Sequence, residues 1–181
     1  DALGQATTIT RDLLGRPTVL TFADGKSTTL TWDASTATLG YLGAFADRSG
    51  STVYERDLFG RVTRKTQNLA NGMNGGIGYA YNARGQLQTL TYPSGGALGH
   101  VYDATGRLSQ LDWNQQPLIT QITWNPMGQP TGWTWAFGAA FGASGGIDQP
   151  TERRYDTAGR LTEVSLLGVP VKDVYSAVQA Q

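Results

Sequence analysis

One short spacing constrains this chain more than anything else in it: Tyr-Asp-x-x-Gly-Arg-Leu begins at Tyr102 and again at Tyr155. Looser copies align on their glycines, giving Gly15, Gly60, Gly85, Gly106, Gly128 and Gly159. Three residues before each glycine stands an acid or its amide: Asp12, Asp57, Asn82, Asp103, Asn125 and Asp156. A side chain that returns at a fixed offset shapes backbone, and self-similarity at this period marks a repeat architecture. The intervals between the aligned glycines are 45, 25, 21, 22 and 31 residues. The longest is expected to hide a degenerate unit near 32–39, at Trp32-Asp33-Ala34-Ser35-Thr36, with Thr36 in the glycine's place. The chain 1–181 thus reads as a single array of about six to seven units.

Asp or Asn at the first position and glycine at the fourth is the composition of a type I turn, which opens a hairpin when the glycine takes a left-handed conformation and forms a bulge. The residue before the acid is then the last of the incoming strand. It is aromatic at Tyr81, Tyr102, Trp124 and Tyr155, but arginine at Arg11 and Arg56. Apolar residues recur five and seven positions past the glycine, as in Leu111 and Trp113 or Trp133 and Trp135, so both lie on one strand face. Val62, Leu87, Leu108 and Leu161, two past the glycine, have the opposite parity. That implies apolar side chains on both faces or an intervening bulge. The Gly60 copy breaks the pattern with Lys65 and Gln67, which predicts an exposed or irregular strand there.

A second set of turn signals, Asp24-Gly25, Asn71-Gly72, Asn74-Gly75 and Ser94-Gly95-Gly96, closes the outgoing strands; Asn-Gly and Asp-Gly favour tight primed turns. The fold class is therefore all-β, an antiparallel series of hairpin repeats. Residues 136–150 are glycine-rich and read as a long connection. The tail after Leu167 ends without a capping signature, as expected of an excerpt from a longer array.

Charge and cysteine usage narrow the function. With 14 Lys plus Arg against 14 Asp plus Glu, the chain carries no basic footprint for nucleic acid or an anionic membrane. It has no cysteine, which removes thiolate chemistry and Cys-ligated zinc. No apolar run reaches the roughly 20 residues of a spanning helix, and Asp1-Ala2-Leu3-Gly4 does not begin like a signal peptide. The 24 glycines and 18 aromatic residues suit tight turns and pleated surfaces.

These motifs resemble the YD repeats of the Rhs family of bacterial polymorphic toxins, which are similar to repeats in the BC components of insecticidal toxin complexes and in teneurins. The resemblance runs from about Ile9 to Leu167 and is most specific at Tyr102 and Tyr155. It implies a β-sheet strip that spirals into a hollow shell and encloses a toxic C-terminal domain until delivery. The chain would then be a wall segment of a secreted or delivered protein, extracellular or at the cell surface. Its implied partners are adjoining repeats and the enclosed toxin domain. Full-length members release their toxin at an Asp-Pro-x-Gly-Leu self-cleavage motif. Here Asn125-Pro126-Met127-Gly128-Gln129 stands instead, and Asn cannot transfer the proton, so Asn125 reads as a turn residue.

Little else could carry chemistry. His100 is the sole histidine and is expected on a sheet surface or in a lumen. The repeated acids are explained by the turns they open, and Arg16, Arg61, Arg107 and Arg160 by pairing with acids four residues earlier or in neighbouring units. No enzyme activity, cofactor or metal is expected. Trp113, Trp133 and Trp135, with Trp32 and Trp124, carry the one real alternative, a carbohydrate-binding or adhesion surface. A third reading has an open strip self-associating through its sheet edges.

Overall fold

The computed structural model describes residues 4–136, 149–166 and 169–172. Among them there are fifteen antiparallel strands and, apart from one 3-10 turn at Thr36–Thr38, no helix. In chain order they are β1 (Thr8–Arg11), β2 (Pro17–Thr21), β3 (Ser27–Trp32), β4 (Leu42–Asp47), β5 (Gly50–Arg56), β6 (Val62–Leu69), β7 (Asn74–Tyr81), β8 (Leu87–Thr91), β9 (Ala97–Tyr102), β10 (Leu108–Trp113), β11 (Gln116–Trp124), β12 (Pro130–Trp135), β13 (Gln149–Tyr155), β14 (Leu161–Leu166) and β15 (Val169–Lys172). The chain divides into two compact units, one of Asp1–Tyr81 with Leu90–Gly95, the other of Asn82–Thr89 with Gly96–Gln181.

In the first unit β1 to β7 pair as a meander in chain order, each with the next. In the second, β9 to β15 do the same. The composition explains this. Thr, Val and Ile are stiff at χ1 and, with the aromatic residues, suit a pleated surface, while Asp, Asn and Gly interrupt them at short intervals. In β3 the alternation is complete: Thr28, Leu30 and Trp32 are half-buried on one face, and Ser27, Thr29 and Thr31 are exposed on the other.

Among the described residues each unit is a sheet without a core. Ala136 is the only buried hydrophobic residue among those described, and no large side chain is fully buried. Stability must come from ladder hydrogen bonds and cross-strand neighbours, each pair contributing about 0.2–1 kcal/mol, rather than from an interior.

The opposite parity two residues past each glycine has a definite origin. A bulge precedes the turn, so the last residue of the incoming strand faces the residue two past the glycine: Arg11 faces Pro17, Trp32 Leu42, Arg56 Val62, Tyr102 Leu108, Trp124 Pro130 and Tyr155 Leu161.

Four expectations need correction. Asp24-Gly25 and Asn71-Gly72 do not form primed turns, because only their glycines take positive φ. They close three-residue turns, Gly25 N donating to Phe22 O and Gly72 N to Leu69 O. The primed geometry belongs instead to Asn114 and Gln115, at φ 50° and 69°, between β10 and β11. Asn74-Gly75 opens β7 and is no turn. The β6 strand is exposed at Gln67, as expected, but it is not irregular there: Arg64 to Asn68 pair without a shift with both β5 and β7, and the one register shift lies at the Val62 end. The glycine-rich connection expected at 136–150 falls almost wholly outside the described residues, as does the tail after Lys172.

The fourth correction concerns the degenerate unit. Asp33 N donates to Tyr41 O, and Gly40 sits at φ 85°, the arrangement that Asp12 N with Arg16 O and Gly15 adopt in a shorter turn. Gly40, not Thr36, holds the glycine's place. The four extra residues are absorbed by the 3-10 turn, where Thr38 N donates to Ser35 O and Thr38 Oγ1 accepts from Ser35 N.

Candidate functional site

In all six tetrads the first residue spends one oxygen on its own turn. Oδ1 accepts from the backbone N–H two residues on and again from that four residues on: Leu14 and Arg16 at Asp12, Phe59 and Arg61 at Asp57, Arg84 and Gln86 at Asn82, Thr105 and Arg107 at Asp103, Met127 and Gln129 at Asn125, Ala158 and Arg160 at Asp156. Each glycine N–H donates to the backbone carbonyl of that same residue, and each glycine has positive φ. Asp and Asn share this Oδ1 acceptor, which is why they interchange here.

The second terminal atom selects a partner. Where the residue is Asp, Oδ2 accepts from an arginine Nε four residues on, at 2.7 Å for Asp12 with Arg16, Asp57 with Arg61 and Asp156 with Arg160. Where it is Asn, Nδ2 donates to a glutamine Oε1, at 3.0 Å from Asn82 to Gln86 and 2.9 Å from Asn125 to Gln129. Asp103 departs from this, its Oδ1 also accepting from Thr105 Oγ1 while the Arg107 guanidinium turns to Asn125 O. The matched chemistry, Asp with Arg and Asn with Gln, is visible in the sequence, where only the arginine half stood out.

The carboxyls are correspondingly held below their ordinary range. Desolvation works to raise Asp12 and Asp57, and donors from Arg16 and Arg61 more than offset it. The Thr105 hydroxyl does most to lower Asp103, the Arg160 backbone N–H to lower Asp156, and the Arg16 guanidinium to lower Asp33. Ionised carboxylates with their acceptors occupied are poor proton carriers. Asp12 and Asp33 meet at Arg16, and the Asn82 and Asp103 turns line one shallow cleft.

Consecutive repeats are joined by a second, equally regular device. The strand-end residue before each Asp or Asn donates to the backbone carbonyl two residues past the preceding repeat's glycine. Trp32 Nε1 reaches Pro17 O, Tyr81 Oη Val62 O, Tyr102 Oη Leu87 O, Trp124 Nε1 Leu108 O and Tyr155 Oη Pro130 O, all at 2.8 Å. Arg56, in the aromatic position, keeps the same target at 3.5 Å, Leu42 O, two past Gly40.

The residue after the glycine reinforces the joint. Arg16 binds Asp33 of the next repeat through both terminal nitrogens, at 3.2 and 2.6 Å, and lies 5.1 Å over the Trp32 ring. Arg61 lies 4.5 Å over Tyr81. Gln86 Nε2 donates to Gly106 O at 2.8 Å and Gln129 Nε2 to Gly159 O at 2.7 Å. At Gly60 a Cβ would sit 2.5 Å from the hydroxyl of Tyr41, the residue after Gly40. Net values of about 0.5–1.5 kcal/mol per hydrogen bond make these joints individually modest and collectively decisive.

The remaining candidates are less open than a binding surface requires. Trp113, Trp133 and Trp135 are half-buried. The Trp133 and Trp135 rings stand edge-on, 6.4 Å apart at 78°, and Arg153 covers Trp133 at 4.9 Å. A sugar needs an open, flat ring face to stack on. His100 faces Leu111 on β10, its Nδ1 buried without a partner. No cluster of three metal-ligating side chains occurs among the described residues.

Residues 81–116 match the RHS Repeat family. None of the curated proteins matches the chain. Among solved structures, the chain is similar to one titled "Crystal Structure of TcdB2-TccC3", with 19% identity and a TM-score of 0.62 over 88% of this chain and 10% of that one. "Crystal Structure of TcdB2-TccC3-Cdc42" gives 19% and 0.61 over 90% of this chain and 10% of that one. "Crystal Structure of TcdB2-TccC3-TEV" gives 18% and 0.60 over 88% and 10%. At this identity the likeness establishes a shared fold, and the chain spans about a tenth of the length of the chains it matches.

Proposed function

We propose that this Rhs/YD-repeat protein, which shares the all-β fold of the TcdB2-TccC3 structures, is a structural wall segment of a shell that encapsulates a toxin domain, and that it performs no catalysis. The single array of repeats would extend beyond this segment, with adjoining repeats and the enclosed domain as its partners and a secreted or delivered parent protein as its setting.

The observation that carries this reading is the joint. Every strand-end Trp, Tyr or Arg that follows another repeat is committed to the repeat before it. The side chains with the greatest capacity for recognition are thereby used to continue the sheet. The lack of a core among the described residues fits a single-layer wall, whose stability grows by adding neighbours rather than by filling an interior.

Titration of tryptophan fluorescence with a panel of oligosaccharides tests the proposal against the adhesion alternative. A wall segment gives no saturable change. Saturable binding lost in Trp133→Ala would replace the wall reading with a carbohydrate-binding one.

A further inference from the structure

The two edges of the first unit differ in chemistry. On one edge lie the turns between β1 and β2, β3 and β4, and β5 and β6, and their outermost residues are large and apolar. Leu13 is 106% exposed, Leu14 76%, Leu39 68%, Leu58 88% and Phe59 80%. The tips on the other edge are mainly polar, with Asp24 bridged to Arg48 at 3.0 Å and Ser49 and Asn71 alongside, and Met73, 60% exposed, is the one strongly exposed large apolar side chain described there. No backbone need puts leucine or phenylalanine at these tips. In the second unit the same turn positions hold Ala83 and Arg84, Ala104 and Thr105, Pro126 and Met127, and Thr157 and Ala158.

We infer that this row is an interface at which a second copy of the chain docks about a two-fold axis. Three features select that occupant. The row is palindromic in bulk, with a pair at Leu13 and Leu14, a single residue at Leu39 and a pair at Leu58 and Phe59. Successive turns on this edge are two strands apart, about 9.6 Å, so an axis through Leu39 sets each pair against the other copy's opposite pair. Five side chains this exposed present on the order of 700 Å² per copy, the most they could bury, against the roughly 800 Å² per partner of a standard interface. The charges flanking the row are already satisfied, Arg16 by Asp12 and Asp33 and Arg61 by Asp57, so burial strands none of them. The inference is independent of the wall reading, because a dimer of this segment neither requires nor excludes a shell.

Sedimentation equilibrium of the chain, up to about 100 µM, reads the self-association constant directly. A monomer–dimer equilibrium is expected, weakened at least about tenfold by Leu58→Ser with Phe59→Ser. Phe59 lies under Arg61 at 5.0 Å, and circular dichroism checks that the variant is folded. A paired test removes ambiguity. Leu58→Glu with Phe59→Glu in one preparation and Leu13→Lys with Leu14→Lys in another should each be monomeric alone and associate when mixed. A wild-type chain that stays monomeric overturns the inference. So does association that survives every tip substitution but is abolished by Ile9→Pro in edge strand β1.

Discussion

The hydroxyl of Tyr155 lies 2.8 Å from the carbonyl oxygen of Pro130, two residues past the glycine of the repeat before it. Trp124 makes the same bond to Leu108 through an indole N–H. Tyrosine and tryptophan differ in shape but share a rigid ring with one donor at its far end, and that is the property this position selects. Histidine or phenylalanine would supply the ring without the reach or without the donor.

Tyr155→Phe should therefore destabilise the chain by about 1 kcal/mol, since it leaves a half-buried carbonyl unpaired at little change in packing. Denaturant unfolding monitored by tryptophan fluorescence measures it. The same change at Tyr79, whose hydroxyl makes no such joint, should fall within about 0.5 kcal/mol of wild type.

The turn pairs should behave as matched sets. Asn82→Asp places a carboxylate oxygen against Gln86 Oε1, and turning the Gln86 amide to meet it surrenders the bond to Gly106 O. Each of Asn82→Asp and Gln86→Arg is expected to cost stability alone. A double-mutant cycle should return a favourable coupling of about 0.5–1 kcal/mol.

Gly15 and Gly60 have nearly the same φ, 79° and 78°, yet differ in surroundings. A Cβ at Gly15 meets nothing within 4 Å, whereas at Gly60 it would press on the Tyr41 ring. Gly15→Ala should cost about 1–2 kcal/mol from backbone strain alone. Gly60→Ala should cost more, and Tyr41→Ala should remove the excess. Measured unfolding free energies of the three single variants and the double variant decide this.

The order of strands and the place of the six tetrads were legible because both rest on local chemistry, an acceptor at one position and a left-handed glycine three later. The joints were not legible, because the partner of Tyr102 is a backbone carbonyl, which leaves no residue-type signature at Leu87. Gly40 was missed for a related reason. Asp33 bonds to Gly40 N across seven residues, and a fixed spacing cannot anticipate a turn lengthened by a 3-10 segment. Asp24-Gly25 misled in the other direction, since Asp-Gly suits a primed turn in isolation but here follows Phe22 and Ala23 in a longer one.

Acid should weaken the fold in a defined window. Asp12, Asp24, Asp33, Asp47, Asp57, Asp103 and Asp156 are all lowered in the folded state. A depressed carboxyl contributes stability above its unfolded value, about 3.9, and loses it as pH falls through the folded value. Denaturation midpoints should be nearly level from pH 7 to about 5 and fall steeply below about 4. Asp33→Asn should flatten part of that fall.

The most direct test compares Asp103→Asn with Asp103→Ala by equilibrium unfolding. Asp103 works through Oδ1, which accepts from Thr105 N, Thr105 Oγ1 and Arg107 N, and its carboxylate has no arginine side chain to hold. If the acid only shapes its turn, asparagine preserves those bonds and costs at most about 0.5 kcal/mol, while alanine costs about 1–2 kcal/mol. An asparagine variant as damaged as the alanine one would show that the charge itself matters, and would contradict the account.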